Sequence, residues 1–192
     1  MKLEQEILID ADRDRVFAAL NDVGILRQAI PGCEEIDQVS DTEFTATVAS
    51  KVGPIKAKFK GSVTLSDLDP PASYTMTGQG TGGAAGFAKM RATVHLAEDG
   101  DRTIMTYAVK ADVGGKLAQL GGRLIDTTAK KMAGEFFGRF EALVSDTKTD
   151  GAASTTAETD APGGPESFSV GTLVWVLGGV LAVALLAYFL TV

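Results

Sequence analysis

From residue 34 onward the apolar side chains recur at every second position through six consecutive segments. Near residue 113 the period lengthens to three and four. A sheet with one wet face, followed by one long amphipathic helix, satisfies that change of period. The alternating segments are 34–40, 43–52, 55–67, 73–80, 84–97 and 102–112, and the breaks between them carry turn chemistry: Ser40-Asp41, Gly53-Pro54, Asp69-Pro70-Pro71 and Asp99-Gly100. In "IKAKFKGSVTL" the alternation is plainest. Ile55, Ala57, Phe59, Val63 and Leu65 share one face, and Lys56, Lys58 and Lys60 share the other.

Ahead of the sheet pattern, "KLEQEILID" reads as a first strand and "ADRDRVFAALND" as a short helix capped by Asp10 or Asp12. "VGILRQAI" reads as a second helix, stopped by Pro31 and Gly32. After the strands, Leu117, Leu120, Leu124, Met132, Phe136, Phe140 and Leu143 predict one amphipathic helix of about 30 residues starting near Val113. The expectation is an α+β domain over residues 1–145, a curved antiparallel sheet of about seven strands wrapped round its C-terminal helix.

Residues 168–192 contain no charged side chain and are long enough, at about 1.5 Å per residue, to cross a bilayer core of roughly 30 Å. A transmembrane anchor is expected there, with Trp175 and Tyr188 toward its two interfaces. Residues 146–167 are rich in Ala, Thr, Gly and Pro without an apolar face. They are expected to form a disordered tether with a root-mean-square span of roughly 25 Å. The N-terminus is charged and shows no secretory signal, so the domain is expected on the cytoplasmic side of the cell membrane. The single Cys33 can form no internal disulfide, which agrees. Of the formal charge of −7, the tail takes −4 through Asp146, Asp150, Glu158, Asp160 and Glu166 against Lys148, leaving the domain too near neutrality for a nucleic-acid binder.

Chemistry-bearing residues are sparse. His95, the only imidazole, shares strand parity with Lys89, Arg91 and Thr93 and reads as a solvated strand residue. One His and one Cys supply neither a zinc cluster nor a metal-binding triad, and nothing pairs Cys33 with His95 as a nucleophile. Asp99 and Asp101 flank a hairpin glycine, and Glu34-Glu35 lies beside the "PGC" turn. No catalytic and no metal-binding residue is assigned. The lysines Lys51, Lys56, Lys58 and Lys60 form either a solvated face or a surface for anionic lipid or a partner protein.

The strings "PGCEE", "KVGPIKAKFKGSVTL", "GQGTGGAAGFA", "VGGKLAQLGGRLID" and "FFGRF" together resemble the carbon monoxide dehydrogenase G-subunit family, within the helix-grip, START-like superfamily of polyketide cyclases and birch-pollen allergens. The resemblance covers residues 1–145. It implies a helix-grip fold, no catalytic cofactor, an apolar ligand between sheet and helix, and association with a molybdenum hydroxylase.

Small and adaptable residues cluster where the helix enters the grip. The expected cavity is lined by Phe59, Tyr74, Met76, Gly78, Gly82, Phe87, Met90, Met105, Tyr107, Leu117, Leu120, Gly121, Leu124, Met132 and Phe136. The alternative is close packing, with glycines serving only to let helix and sheet approach. Taken with the anchor, the cavity points to a membrane quinone of menaquinone or ubiquinone type as cargo. The rival is an adaptor that docks the dehydrogenase on the membrane without a ligand. Gly78, Gly80 and Gly83 have the spacing of a dinucleotide fingerprint, but a strand and a hairpin follow them instead of a helix. They are expected instead to border the mouth of the cavity.

Overall fold

The structure, a computed structural model, describes residues 2–146. The expected linker beyond Asp146 and the apolar segment 168–192 lie outside the described residues. Among those described, no helix is long and apolar enough to cross a membrane.

The chain runs through β1 (Lys2–Ile9), α1 (Arg13–Ala19), α2 (Val23–Ala29), β2 (Cys33–Ser40), β3 (Glu43–Val52), β4 (Ile55–Asp69), β5 (Ser73–Thr81), β6 (Phe87–Asp99), β7 (Arg102–Gly114) and α3 (Gly122–Asp146). The seven strands form one antiparallel sheet in the order β1-β7-β6-β5-β4-β3-β2. The N-terminal strand therefore closes on the last one. α1 is capped by Asp12, whose carboxylate accepts the Arg15 N–H at 2.9 Å, and Asp22 caps α2 through the Ile25 N–H at the same distance.

Two of the boundaries that differ from the sequence reading bear on the site. The closing helix begins at Gly122 and not near Val113, because Val113 and Gly114 still pair with Ala88 and Phe87. The chain then turns through Gly115 (φ +79°), a short 3-10 turn over Ala118–Leu120, and Gly121 (φ +83°). Strand β6 begins at Phe87 and not at Ala84, since Gly83–Ala85 forms another 3-10 turn.

The helix stripe is also rotated from the expected one. Ile125, Ala129, Met132, Ala133, Phe136, Phe137, Phe140 and Val144 are buried, whereas Leu124 is 38% exposed and Leu143 only partly covered. Helical residues are spaced about 100° apart, which puts Ile125 within about 60° of Met132, Phe136 and Phe140 and Leu124 about 80–160° from them, so Ile125 and not Leu124 is on the inner face. Phe137 stacks on Tyr107 of β7 at 5.4 Å, which ties the C-terminal half of α3 to the sheet, and within the helix Phe136 stacks on Phe140 at 5.7 Å.

Both ends of the grip can now be placed. The β3–β4 turn at Gly53, the β5–β6 connection and the β7–α3 connection lie at one end, with the start of α3. The β4–β5 and β6–β7 turns lie at the other, where the Ser145 hydroxyl donates to the Asp10 carbonyl at 3.4 Å.

Candidate functional site

The inner face of the sheet is organised in rows across the strands. At the glycine-rich end, Ala46, Gly61, Gly80 and Ala88 are cross-strand neighbours over β3 to β6. The next row is Phe44, Val63, Gly78, Met90 and Ala111, and after it come Leu65, Met76, Ala92, Val109 and Leu3. Tyr74, Val94, Tyr107 and Gln5 make the following row. α3 contributes the buried Ala129, Met132, Ala133 and Phe136. Small residues thus cluster on the inner face of the sheet at this end, and α3 adds buried alanines, with methionines on both elements.

Ten of the expected lining residues come together in the core: Phe59, Tyr74, Met76, Gly78, Met90, Met105, Tyr107, Leu117, Met132 and Phe136 are all buried. They pack on one another, and Phe59, Met76, Met105, Tyr107 and Leu117 are at most 1% exposed. Leu120 sits at the rim, partly covered. Gly82 belongs to the wall, because a Cβ there would lie 2.2 Å from the Phe59 ring. Three residues do not belong. Phe87 shares the parity of Lys89 and Arg91, so it stands on the outer face, 48% exposed. Gly121 is exposed with open space about it, and Leu124 points away for the reason of helix phase given above. Ala46, Gly61, Ala88, Ala111, Ala129 and Ala133 escaped the sequence reading. Each is ordinary on its own strand or helix, and only cross-strand register sets them side by side.

Two tyrosines bring the polar groups into this apolar interior. The Tyr107 hydroxyl donates to the Gln5 side-chain carbonyl. Tyr74 meets Phe17 edge-on at 5.9 Å, and its buried hydroxyl has no partner. Burial pushes both phenols far above their ordinary pKa, so both remain neutral donors. An orphan buried hydroxyl costs about 1–3 kcal/mol. Tyr74→Phe is therefore expected to raise the unfolding free energy by about 1 kcal/mol in denaturant titrations. A loss of stability would show that the hydroxyl is satisfied in solution.

The glycine run joins backbone to backbone. The Leu117 N–H donates to the Ala85 carbonyl at 3.0 Å, and the Gly82 N–H to the Gly86 carbonyl at 2.9 Å. A Cβ on Gly86 would lie 2.1 Å from the Gly114 carbonyl oxygen, and one on Gly115 would lie 2.6 Å from the Gly86 Cα. The β5–β6 and β7–α3 connections meet at a spacing that no side chain permits.

The lysines stand on the outer face. Lys51 and Lys56 are directly opposite one another beside the Gly53-Pro54 turn. Lys58 pairs with Glu34 at 2.8 Å, and this hydrogen bond and charge push its pKa up. Lys60 lies opposite Thr47, whose hydroxyl donates to Glu35 at 3.2 Å. Two open grooves cross the same face. One of about 650 Å³ is bordered by Lys2, Lys89, Arg91 and Lys110, and one of about 600 Å³ by Lys60, Phe87, Lys89, Glu35 and Asp37.

His95 is exposed on that face, between Ser73 and Thr106. Burial raises the Cys33 thiol pKa, against a smaller opposing pull from Arg27, which disfavours a thiolate. Asp99 binds Arg102 at 2.7 Å within its hairpin. Among the described residues, no group of three or more His, Cys, Asp or Glu is placed to hold a metal ion.

This architecture has solved relatives. A conserved protein from Geobacillus kaustophilus is similar at 25% identity and a TM-score of 0.72, over 77% of this chain and 97% of that one. A START superfamily protein from Mycobacterium smegmatis shares the fold at 11% identity and a TM-score of 0.59, over 76% and 98% of the two chains. So does the Zhui aromatase/cyclase of a Streptomyces species, at 10% identity and a TM-score of 0.61, over 79% and 98%. No curated protein matches the sequence. The family model for the carbon monoxide dehydrogenase G-subunit (CoxG) matches residues 6–145, which takes in the sheet apart from the start of β1 and nearly all of α3, and the chain accordingly belongs to the CoxG family.

Proposed function

We propose that this chain is a non-enzymatic accessory protein that takes a membrane quinone of menaquinone or ubiquinone type between its sheet and α3. It delivers that quinone to a molybdenum-containing carbon monoxide dehydrogenase or a related hydroxylase. Residues 168–192 tether it to the cell membrane, with the domain in the cytoplasm. The observation that carries this reading is the cluster of small residues on the buried face of the sheet, together with buried alanines on α3. Gly61, Gly78, Gly80, Ala88 and Ala111 lie on the sheet and Ala129 and Ala133 on the helix, with Met76, Met90, Met105 and Met132 around them. Unbranched methionines change rotamer with little strain, so the apolar interior can open for a flat, lipophilic guest. Tyr74 then supplies a neutral donor for a guest carbonyl. A quinone tail needs such a host, since exposing each CH2 to water costs about 0.8 kcal/mol. The quinone is the partner's electron acceptor, and no redox step occurs on this chain.

The test is a lipid extract of the full-length protein purified from its membrane. Quinone near one per chain is the expected result in the mass spectrum. Leu120→Trp, which adds bulk at the rim, is expected to reduce that loading several-fold while circular dichroism stays unchanged. Absence of quinone from the unaltered protein, or equal loading in the variant, would overturn the assignment.

A second reading rests on the outer face. Its two grooves and the cations Lys2, Lys60, Lys89, Arg91 and Lys110 suit an acidic protein surface. A chain that is free of quinone yet recruits the dehydrogenase to membranes would favour an adaptor.

A further inference from the structure

We propose that the glycine-rich end of the domain is a docking surface for an anionic phospholipid bilayer, with Phe87 and Leu124 entering the lipid. This rests on the reading of residues 168–192 as a membrane tether. Among the described residues five large apolar side chains are exposed: Leu8, Val39 and Leu68 toward the acidic end, and Phe87 and Leu124, 48% and 38% exposed, at the glycine-rich end, where cations and not acids surround them. Both are held in place from below. The Phe87 ring comes within 2.4 Å of where a Gly114 Cβ would stand, and a Leu124 methyl within 3.0 Å of one at Gly53. Glycine at those two positions is what lets the side chains lie where they do.

Cations surround this apolar tip. Lys51 and Lys56 flank the β3–β4 turn, Lys116 precedes the 3-10 turn, and Arg123 lies in the first turn of α3, all of them exposed. Lys51 faces Lys56 across the ladder, an arrangement of like charges that costs stability and that a nearby polyanion relieves. The other end has the opposite character. Its turns carry Asp41, Asp69 and Asp101, together with Glu98 and Asp99 paired to Arg13 and Arg102, a net negative set that an anionic bilayer repels. The charge pattern therefore orients the domain with its glycine-rich end down, where the small residues of the sheet cluster.

Chain length permits that orientation. The last turn of α3 lies at the acidic end, and the helix has 25 residues, about 37 Å from end to end at 1.5 Å each. The tether must run back over that distance before it meets the apolar segment. Residues 147–167, fully extended, reach up to roughly 70 Å, which is enough. Deleting residues 150–162 leaves about eight, spanning at most ~29 Å, which is shorter than the helix.

The experiment uses the full chain with Cys33→Ser and Leu124→Cys, carrying an environment-sensitive fluorophore at the new thiol. It is reconstituted in vesicles of phosphatidylcholine with or without phosphatidylglycerol. The expected result is a blue shift and a several-fold protection from iodide quenching in the anionic vesicles only. Lys51→Glu with Lys56→Glu, and separately the deletion of 150–162, should abolish both signals. The same label at Phe87→Cys should follow Leu124, and at Asp101→Cys it should stay aqueous. Equal quenching at Leu124 and Asp101 in chains that float with the vesicles would overturn the docking surface while leaving the tether intact. An unchanged signal after shortening the tether, or a signal that appears only when the dehydrogenase is added, would overturn it too. A full chain that fails to float overturns the tether reading, and this one with it.

Discussion

Gly86→Ala is expected to destabilise the domain by about 4 kcal/mol, a large share of the roughly 5–15 kcal/mol that keeps a domain folded. Two costs combine there. Gly86 has φ +127° and ψ −156°, a region closed to side chains, which accounts for about 1–3 kcal/mol. The new Cβ would also meet the Gly114 carbonyl oxygen at 2.1 Å, so two backbones must separate, with a cost similar to overpacking, about 1–3 kcal/mol. Separation also breaks the Leu117 N–H bond to Ala85 and loosens the entry of α3. Gly83 is the control, because it has φ +61° but nothing within 4 Å of a Cβ. Gly83→Ala should cost only about 1–2 kcal/mol. Urea titrations of the two variants decide the matter. Equal losses would mean that the close approach of the two connections does not exist.

A chain ending at Ser167 is expected in the soluble fraction, whereas the full chain is expected in the membrane pellet. An inserted span holds a protein effectively irreversibly. The alternative grip is the exposed lysine set Lys51, Lys56, Lys58 and Lys60, at about 1 kcal/mol each. Together they amount to only about 4 kcal/mol, a millimolar attraction that salt weakens further. Cell fractionation at low and high salt separates these cases. A truncated chain that stays in the pellet at high salt would show that a partner, and not residues 168–192, does the holding.

The strands were legible because each has one dry face, which writes its inward parity into alternate positions. Lys56, Lys58 and Lys60 against Phe59 and Val63 are enough to orient β4. The start of α3 was not legible. "VGGKLAQLGGRLID" contains apolar residues at helical spacing, yet Gly115 and Gly121 adopt positive φ, and a glycine's conformation is set by what its neighbours approach. Leu124 has helical spacing with Leu117 and Leu120, but those two lie outside α3, and within α3 it is Ile125 that is in phase with Met132 and Phe136. Phe87 was misplaced for a related reason. Its parity with Lys89 was visible, but the neighbouring glycines left the strand's entry point ambiguous.

Period, turn residues and composition were enough to settle the class of fold, the order of its elements and the sparseness of reactive side chains. All of these are local properties of the chain. Folding in three dimensions was needed to show which small residues share a wall, that the Tyr74 hydroxyl stands without a partner, and that the glycine run brings Gly86 against Gly114 and Gly115. It also put Phe87 and Leu124 at one cation-rich end. Each of these depends on residues far apart in the chain meeting in space. The one-dimensional pattern specifies which face of an element is dry, but not which other element's face will meet it.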